Sequence, residues 1–291
     1  MQLLPLSGNV KADLHLHSTY SDGLYSPPEL VRLAAAAGLK AISITDHDAV
    51  EGCEEARQEG KELNVEVIPG VELSSTERGV DVHVLGYMVD PTHPELNEYL
   101  RLFREERIRR VHKMVELLQS MGCPVSYESV MRLSPRGSVG RPHVAQAMVQ
   151  SGFVNSAGEA FALYLGDDCP AFVPKYRISA GEALRLISAA GGVSFLAHPG
   201  SGMPESFILS LVKQGLQGIE TVHPRHAPGE VYRYRSFVAR HGLLETGGSD
   251  FHGGAHEAPL GTYVVPYTAV GKMYAASANH ARVGNGARPL T

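Results

Sequence analysis

The residues of this chain that could do chemistry begin with two histidines, His15 and His17, separated by one leucine. They lie in residues 10–17, where apolar and polar side chains alternate with a period of two. In a β-strand this period places Asp13, His15 and His17 on one face, so both imidazoles can reach one cation. Neutral imidazole binds zinc, manganese and iron alike, and the pattern therefore predicts a metal site. A half-exposed edge strand with two solvated histidines is the alternative that this stretch alone leaves open.

Further metal-type residues stand at the predicted ends of later strands. The nine candidate ligands are His15, His17, Asp22, His47, Glu72, His83, His198, Asp250 and His252. All of them offer nitrogen or oxygen and none offers sulfur, which indicates zinc, manganese or iron in hydrolytic chemistry rather than a structural zinc site. Because these donors exceed the needs of one ion, we expect two or three ions that share a carboxylate. Such a cluster binds phosphoryl oxygens and lowers the pKa of a bound water.

The elements that must position these residues follow a strand and helix rhythm. A capping box at residues 26–29 begins the first predicted helix, and short β-branched strands are predicted over residues 39–45 and 65–71. Polar residues end each strand, and His83 lies on another alternating strand over residues 80–86. This order is typical of parallel βα architecture, in which the functional site lies at the carboxyl ends of the strands.

A helical segment interrupts this rhythm. A long charged helix predicted over residues 95–121, with more helical segments after it, indicates an insertion subdomain over residues 95–169. Its arginines have acidic residues at helical spacing, which favours a solvated helix face over a binding surface. Strands and helices then resume, so we expect residues 1–94 and 170–278 to form the barrel together and residues 279–291 to form a C-terminal tail.

Composition and charge limit the class of protein. Hydrophobic residues make up 43% and charged residues 20%, as in an ordinary globular protein with a sizeable core. The net charge of −5 provides no overall basic field, so we expect no stable nucleic-acid complex. The three cysteines form no CxxC pair, and neither a signal-peptide pattern nor a membrane-spanning apolar run is present. These features predict a cytoplasmic protein without membrane contact, and they imply no protein partner.

The motifs that carry these donors resemble, in order, those of the PHP (polymerase and histidinol phosphatase) family. The matching segments are Asp13-Leu14-His15-Leu16-His17, Ser21-Asp22-Gly23, Thr45-Asp46-His47, Gly70-Val71-Glu72, His83, Ala197-His198-Pro199 and Gly248-Ser249-Asp250-Phe251-His252-Gly253. The resemblance spans most of the chain. It implies an α/β fold, a distorted (β/α)7 barrel with a helical insertion subdomain, and a trinuclear metal centre.

The resemblance also implies how the ligands divide among the ions. By analogy, the first ion is held by His15, His17, Glu72 and Asp250, the second by Glu72, His83 and His198, and the third by Asp22, His47 and His252. Two to three divalent ions are expected, with manganese as the first choice and iron or zinc as alternatives. Some family members have histidine where this chain has Asp22, so at the third site this chain departs from part of the family.

A narrower resemblance concerns the substrate. The segment Gly140–His143, the helical insertion, residues 172–177 and the segment Gly218–Glu220 resemble stand-alone family members that act on nucleoside 3′,5′-bisphosphates and trim short RNA in the 5′-to-3′ direction. The resemblance implies hydrolysis of the 3′-phosphate to give a 5′-nucleotide and phosphate. A small phosphorylated nucleotide or a short oligonucleotide is therefore the expected partner.

Three cations are candidates for binding a phosphate of such a substrate. Arg141, Lys175 and Arg177 lie in segments that contain proline or glycine rather than on the charged helix. Arginine binds phosphate through two parallel hydrogen bonds, and lysine supplies a point charge. Lys175 and Arg177 are predicted to alternate on one face of a short strand. Ordinary surface cations are the alternative for each.

His223, at the end of a predicted strand, is a candidate for contacting phosphate or for protonating the leaving oxygen, with a solvated loop as the alternative. The expected catalytic residues are His223, Glu72 and Asp250. His223 also joins the expected substrate-binding residues Arg141, Lys175 and Arg177.

Three other functions remain open at this point. A histidinol-phosphate-type phosphomonoesterase would use the same metals, although the long insertion and the loop of Lys175 and Arg177 disfavour it. An amidohydrolase would share the barrel and the two histidines, but it usually bridges its metals with a lysine where this chain has Glu72. A non-catalytic PHP scaffold is expected to have lost ligands, and all nine candidates are present here.

Overall fold

Strands from both halves of the chain form one sheet in this computed structural model, which describes residues 10–134 and 139–284 and all of their side chains except those of 279–284. The strands are β1 Lys11–Leu16, β2 Ala41–Ile44, β3 Glu66–Glu77, β4 Val80–Tyr87, β5 Ile178–Ser179, β6 Val193–Leu196, β7 Gly218–Val222, β8 Leu244–Gly247 and β9 Val265–Pro266. Their order in the sheet is β8-β7-β6-β4-β3-β2-β1-β9, and β5 pairs with β3.

Helices connect most of these strands. They are α1 Pro27–Ala36, α2 Cys53–Leu63, α3 Pro94–Ser120, α4 Tyr127–Met131, α5 Arg141–Gln150, α6 Ala157–Ala160, α7 Ala180–Ala189, α8 Glu205–Lys213, α9 Pro228–His241 and α10 Thr268–Gly284, with a π-helical turn at Phe161–Leu165. The predicted capping box is present at α1, where the backbone N–H of Ser26 donates to Glu29 at 2.8 Å. Among the described residues, no helix is both long and apolar enough to cross a membrane.

The strand β4 departs from the parallel rhythm. It runs antiparallel to both β3 and β6, whereas β1, β2 and β3 are parallel to one another, as are β6, β7 and β8. A two-residue turn causes this reversal, because Glu77 pairs with Val80 and the intervening Arg78 and Gly79 have φ values of 50° and 80°. Two positive φ values in such a loop are the mark of a type I′ hairpin.

The sheet closes into a barrel where its first and last long strands meet. Leu16, at the end of β1, forms a parallel bridge with Phe251, and the N–H of His17 donates to the carbonyl of Phe251 at 3.0 Å. In the described part of the chain, seven of the strands have four or more residues. The prediction of a distorted seven-stranded α/β barrel is therefore confirmed, with the short β5 and β9 as additions.

The helical segment between β4 and β5 has an apolar core of its own. The second half of α3 packs against α5 through Val111, Met114, Leu118, Val144 and Met148. The first half of α3 instead belongs to the barrel's core, through Leu96, Leu100 and Phe103. The helix α3 thus anchors the segment to the barrel. The assignment of residues 95–169 as a separate subdomain stays a prediction.

The chain's ends differ in part from expectation. Residues 279–284, predicted as the start of a tail, continue the helix α10 as far as Gly284. Residues 285–291 of that tail and residues 1–9 of the predicted barrel lie outside the described residues.

Candidate metal centre

The predicted ligands converge at one end of the barrel because of where the strands end. His15 is the second-last residue of β1, His17 directly follows that strand, and His47 lies shortly after β2. Glu72 lies in the middle of the longer β3, where an isolated bridge pairs it with His47. His83 lies near the beginning of β4, and the antiparallel direction of β4 brings that beginning to the same end of the barrel.

The remaining strand-end ligands occupy unusual backbone positions. His198 follows β6 and Asp250 follows β8, with φ values of 26° and 50°. Such values are uncommon for residues other than glycine, and they cluster at functional sites, where the surrounding structure stabilises them. The backbone N–H of Ser249 and that of Gly261 both donate to Asp13, each at 2.9 Å. Asp13 therefore supports the loop of Asp250 rather than contributing to the cluster.

The first predicted ligand group forms a tight set of four atoms. The Nε2 atoms of His15 and His17 lie 3.1 Å apart, and each lies 3.3 Å from Oε2 of Glu72. Oδ1 of Asp250 lies 3.3 Å from Nε2 of His15 and 3.1 Å from Nε2 of His17. Ligand atoms about 2.0–2.2 Å from one ion in tetrahedral coordination lie roughly 3.3–3.6 Å apart, so this set fits a metal ion.

The second predicted group uses the other oxygen of the same carboxylate. Oε1 of Glu72 lies 2.9 Å from Nδ1 of His83 and 2.9 Å from Nε2 of His198. Glu72 is fully buried and its two oxygens face two different groups of imidazoles. A carboxylate in this position could hold two ions, one at each oxygen.

The third predicted group lies beside the first. Oδ1 of Asp22 lies 3.3 Å from Nε2 of His252 and 3.7 Å from Nδ1 of His17, and His47 completes the group. Oδ1 of Asp22 and Nδ1 of His47 are buried without a hydrogen-bond partner among the described residues. The His47 atom lies 3.1 Å from Oε2 of Glu72 but lacks hydrogen-bond geometry. Buried polar atoms in this condition fit ligands that share an ion better than a hydrogen-bonded pair.

Hydrogen bonds at Nδ1 orient the rings of two of these histidines. Nδ1 of His15 binds Glu220 Oε1 at 2.9 Å, and Nδ1 of His252 binds the carbonyl of Asp250 at 2.8 Å. If these nitrogens carry the protons, both Nε2 atoms present lone pairs to the cluster. Metal-ligating histidines in proteins are held in this way.

Glu220 is the residue of the site that sequence reasoning missed as a functional group. It lies in β7, is fully buried, and also accepts the backbone N–H of His198 at 2.7 Å through Oε2. One carboxylate thus orients a ligand of the first group and a ligand of the second. The available signal was a lone carboxylate inside the short strand Gly-Ile-Glu-Thr-Val.

The charges of the cluster shift its pKa values. Burial lowers the pKa of His47 to about 3, so its imidazole is neutral. Burial raises the pKa of Glu72, but the surrounding imidazoles outweigh this effect and hold that pKa well below its usual range. Burial lowers the pKa of His17, but hydrogen bonds to Asp250 and Glu72 raise it to about 10. Metal binding at His17 is therefore linked to release of a proton.

His223 lies inside the centre rather than in a solvated loop. Its side chain is 1% exposed, and Nε2 lies 3.1 Å from Oδ2 of Asp250. Its Nδ1 accepts the backbone N–H of Arg225 at 3.0 Å, which assigns the proton of the neutral ring to Nε2. His223, His15 and Asp250 also form a group with metal-binding spacing.

A cavity of about 650 Å³ opens beside the second ligand group. His83 and His198 line it together with Lys175, Arg225 and Phe207. Of the three predicted phosphate-binding cations, Lys175 is the one that this cavity brings next to the ligands.

The other two predicted cations face carboxylates. Arg141 lies 3.1 Å from Asp167, and Arg177 lies 3.2 Å from Asp81. The prediction of a short strand that aligns Lys175 with Arg177 was wrong, because residues 172–177 form no strand pairing and β5 begins only at Ile178.

His226, close to the centre, is also buried. His226 accepts the N–H of Gly200 at 3.1 Å through Nε2, and its Nδ1 binds the carbonyl of Thr221 at 3.0 Å. Tyr234 donates to the carbonyl of the same glycine at 2.5 Å. These contacts hold the loop that follows His198.

Comparisons with known proteins show which family and which relatives the chain is similar to. A family model described as the PHP domain matches residues 13–155. The chain is 34% identical over 247 residues to a 5′-3′ exoribonuclease of Haemophilus influenzae, with 83% of this chain and 90% of that protein covered. It is 33% identical over 246 residues to a 3′,5′-nucleoside bisphosphate phosphatase of Chromobacterium violaceum, with 82% and 86% covered.

A solved structure has the same fold. The protein is from Bifidobacterium adolescentis and is described as a metal-dependent phosphoesterase, and it superposes with a TM-score of 0.83 at 31% identity. The match covers 91% of this chain and 95% of that one.

Proposed function

The chain belongs to the PHP domain family, as a metal-dependent hydrolase of phosphate esters, and from this premise we propose its substrate. The proposed reaction removes the 3′-phosphate of nucleoside 3′,5′-bisphosphates, giving a 5′-nucleotide and phosphate. Trimming of short RNA in the 5′-to-3′ direction is the second proposed activity. The observation that carries both is the similarity, over most of the chain, to relatives named for these two reactions.

The proposed cofactors are two to three divalent ions, manganese first and iron or zinc as alternatives. The residues that would hold them are His15, His17, Glu72 and Asp250 for one ion, Glu72, His83 and His198 for another, and Asp22, His47 and His252 for a third. When bound, such ions polarise phosphoryl oxygens and lower the pKa of a coordinated water. The nitrogen and oxygen donors support divalent ions at this cluster. Their spacing agrees with the proposed third group, whereas the other groups with metal-binding spacing divide the residues differently, for example His15 with Glu72 and His198.

The protein's own residues then orient the substrate. The scissile phosphate is proposed to lie at the ligand cluster. The nucleoside is proposed to lie beside Phe207 in the adjoining cavity, because the volume of this cavity is in the range of small-ligand pockets. His223 holds a proton at Nε2, and its proposed role is to contact the substrate by donating a hydrogen bond from Nε2 to a phosphate or leaving oxygen at the centre. Glu72 and Asp250 are proposed to act as carboxylates that keep the centre assembled. Lys175, Arg141 and Arg177 are the proposed cations for the second phosphate.

The test compares three substrates of the manganese-loaded protein: adenosine 3′,5′-bisphosphate, histidinol phosphate and a 5′-phosphorylated short RNA. We expect phosphate and adenosine 5′-monophosphate from the first, nothing from the second, and mononucleotides from the third. Faster release of phosphate from histidinol phosphate would replace the proposal by the phosphomonoesterase alternative. No product from any of them, with metal content verified, would leave the amidohydrolase and scaffold alternatives.

We also propose that the reaction takes place in the cytoplasm. All three cysteines are free in the structure, which supports a reducing compartment.

A further inference from the structure

One wall of the cavity beside the metal centre is a loop that forms neither helix nor strand. It comprises residues 199–204, Pro-Gly-Ser-Gly-Met-Pro, and all six of them line the cavity. The loop directly follows His198, whose own backbone N–H donates to Glu220 at 2.7 Å. The ligand and the loop are therefore held separately, and the conformation of the loop decides the width of the cavity.

Neighbouring backbone does not hold this loop in place. In the described part of the chain, residues 199–203 take part in no hydrogen bond between backbone groups. Gly200 has a φ of 67°, a conformation that glycine adopts more readily than other residues. Because backbone N–H and C=O groups away from water need partners, a loop of this kind depends on side chains from other segments.

Side chains from the segment after β7 provide these partners, beginning at Gly200. His226 accepts the N–H of Gly200 at 3.1 Å, and Tyr234 donates to the carbonyl of the same glycine at 2.5 Å. Both side chains are buried, since His226 is 5% exposed and Tyr234 is fully buried. The two backbone groups of Gly200 are thus bonded to the same neighbouring segment of the chain.

Arg233 extends these contacts along the loop. Its Nη2 donates to the carbonyl of Met203 at 2.7 Å and to the hydroxyl of Tyr234 at 3.0 Å. Its Nη1 makes a longer contact of 3.4 Å with the carbonyl of Ser201. The guanidinium also lies 4.7 Å from the centre of the Tyr234 ring. One arginine thus contacts two carbonyls of the loop and the tyrosine that holds a third.

The contacts of Arg233 differ from those of two other arginines of α9. Arg235 pairs with Glu245 at 2.7 Å and Arg240 pairs with Glu205 at 2.9 Å, and both side chains are about half exposed. Arg233 has no carboxylate within ion-pair distance among the residues that the structure describes. Its charge therefore strengthens hydrogen bonds to the loop instead of forming an ion pair.

We propose that His226, Arg233 and Tyr234, here called the loop anchor, are positioning residues that favour substrates large enough to fill the cavity. By holding residues 199–204 in one conformation, the loop anchor keeps the cavity at a volume that admits a nucleoside, about 650 Å³. An inorganic phosphate reaches the metal centre without this wall. The role in selectivity rests on the proposed function, which places the nucleoside in this cavity, whereas the holding of the loop does not.

The first experiment changes Arg233 to Met in the manganese-loaded protein, with Arg235→Met on the same helix as the matched control. Adenosine 3′,5′-bisphosphate is the substrate, and inorganic phosphate is the competitive inhibitor that does not need the cavity. We expect Arg233→Met to raise KM about 5- to 20-fold, with kcat within about twofold of the wild type and the inhibition constant of phosphate unchanged. A loss confined to kcat, an equal weakening of both ligands, or unchanged kinetics would overturn the inference.

Amide hydrogen exchange tests the loop anchor without catalysis. The N–H of Gly200 is bonded to His226, so a loosened loop exposes it to exchange more often. We expect exchange at Gly200 to be about tenfold faster in Arg233→Met and unchanged in Arg235→Met. If the wild type does not hydrolyse the bisphosphate but this difference is found, the proposed substrate fails and the loop anchor stands. Unchanged exchange in Arg233→Met refutes the loop anchor, whatever the substrate.

Should Arg233→Met fail to fold, Tyr234→Phe provides the test. It removes only the hydroxyl that donates to Gly200 and keeps the ring that packs in the barrel's core. We expect KM for the bisphosphate to rise about two- to fivefold with kcat unchanged. Arg233→Lys keeps a donor for one of the two carbonyls, so its KM should lie between those of the wild type and Arg233→Met. A Tyr234→Phe variant with wild-type KM and wild-type exchange at Gly200 would contradict the loop anchor.

Discussion

The metal centre and the inward face of helix α3, which carries Arg107 and Arg110, both bury charged side chains, but their charges are balanced in different ways. In the centre, imidazoles and carboxylates face one another, so that Glu72 alone lies within 3.3 Å of five histidines. On that face of α3, Arg110 lacks a carboxylate partner among the described residues, and one N–H-bearing nitrogen each of Arg107 and Arg110 is buried without an acceptor. The barrel thus balances its buried charges within one cluster, whereas helix α3 leaves part of its buried positive charge without a partner in the described residues.

The largest effect is expected where the centre's charge balance is broken. Glu72→Gln removes the negative charge that both ligand groups share, and we expect kcat to fall about a thousandfold or more and bound metal to decrease. Elemental analysis and steady-state kinetics check this. Glu77→Gln, at the far end of the same strand, is the control and should retain metal and activity.

A smaller effect is expected from changing Glu220, whose carboxylate orients two of the predicted ligands. Glu220→Gln can keep a partner for only one of the two groups that Glu220 now holds, the ring of His15 and the backbone N–H of His198. Loss of such support costs about 10- to 100-fold in metal affinity. Competition with a metal chelator measures this affinity. Unchanged affinity for every ion would show that Glu220 is only a structural residue.

The link between the two regions can be weakened by Asp48→Asn. Asp48 is buried, accepts the N–H and the hydroxyl of Ser74 at 2.9 and 2.8 Å, and pairs with Arg107. We expect the free energy of unfolding to fall by about 1–3 kcal/mol, because a charged hydrogen bond is lost. Urea unfolding measures it. The control Asp81→Asn breaks a half-exposed pair with Arg177 and should cost at most about 1 kcal/mol.

The smallest effect is expected from Arg177→Ala. Arg177 is 39% exposed and paired with Asp81, so its removal should raise KM for the bisphosphate only about two- to fivefold. Steady-state kinetics of the variant and the wild type measure this rise in KM. A rise of more than about tenfold would make Arg177 a main ligand of the second phosphate.

The ligands were predictable because each depends on a local pattern. His15 and His17 follow from a period of two, and His47, His198 and Asp250 from their positions after strands. The structure brings all of them together, and the barrel expected from them is confirmed. Their individual roles at the metals stay predictions.

Other features depend on tertiary contacts that the sequence does not display. The inward arginines of α3 have the same helical spacing from acidic residues as the outward ones, and only packing on the loop of Val173 distinguishes them. Glu220 lies in an apolar strand whose burial on both faces cannot be deduced from its own residues. The direction of β4 depends on the short turn at Arg78 and Gly79, a signal that was present but is weak without a second glycine.

The closure of the barrel between Leu16 and Phe251 has a consequence for how the protein is made. The centre joins residues near the two ends of the chain, since His15 and Glu220 are 205 positions apart and Asp250 follows later still. A growing polypeptide on the ribosome has its first two histidines early but lacks the last ligands until synthesis has passed residue 252. Contacts of such long range also form late in folding. Assembly of the full set of predicted ligands therefore requires synthesis past residue 252, and a chain interrupted earlier leaves its early histidines without their partners.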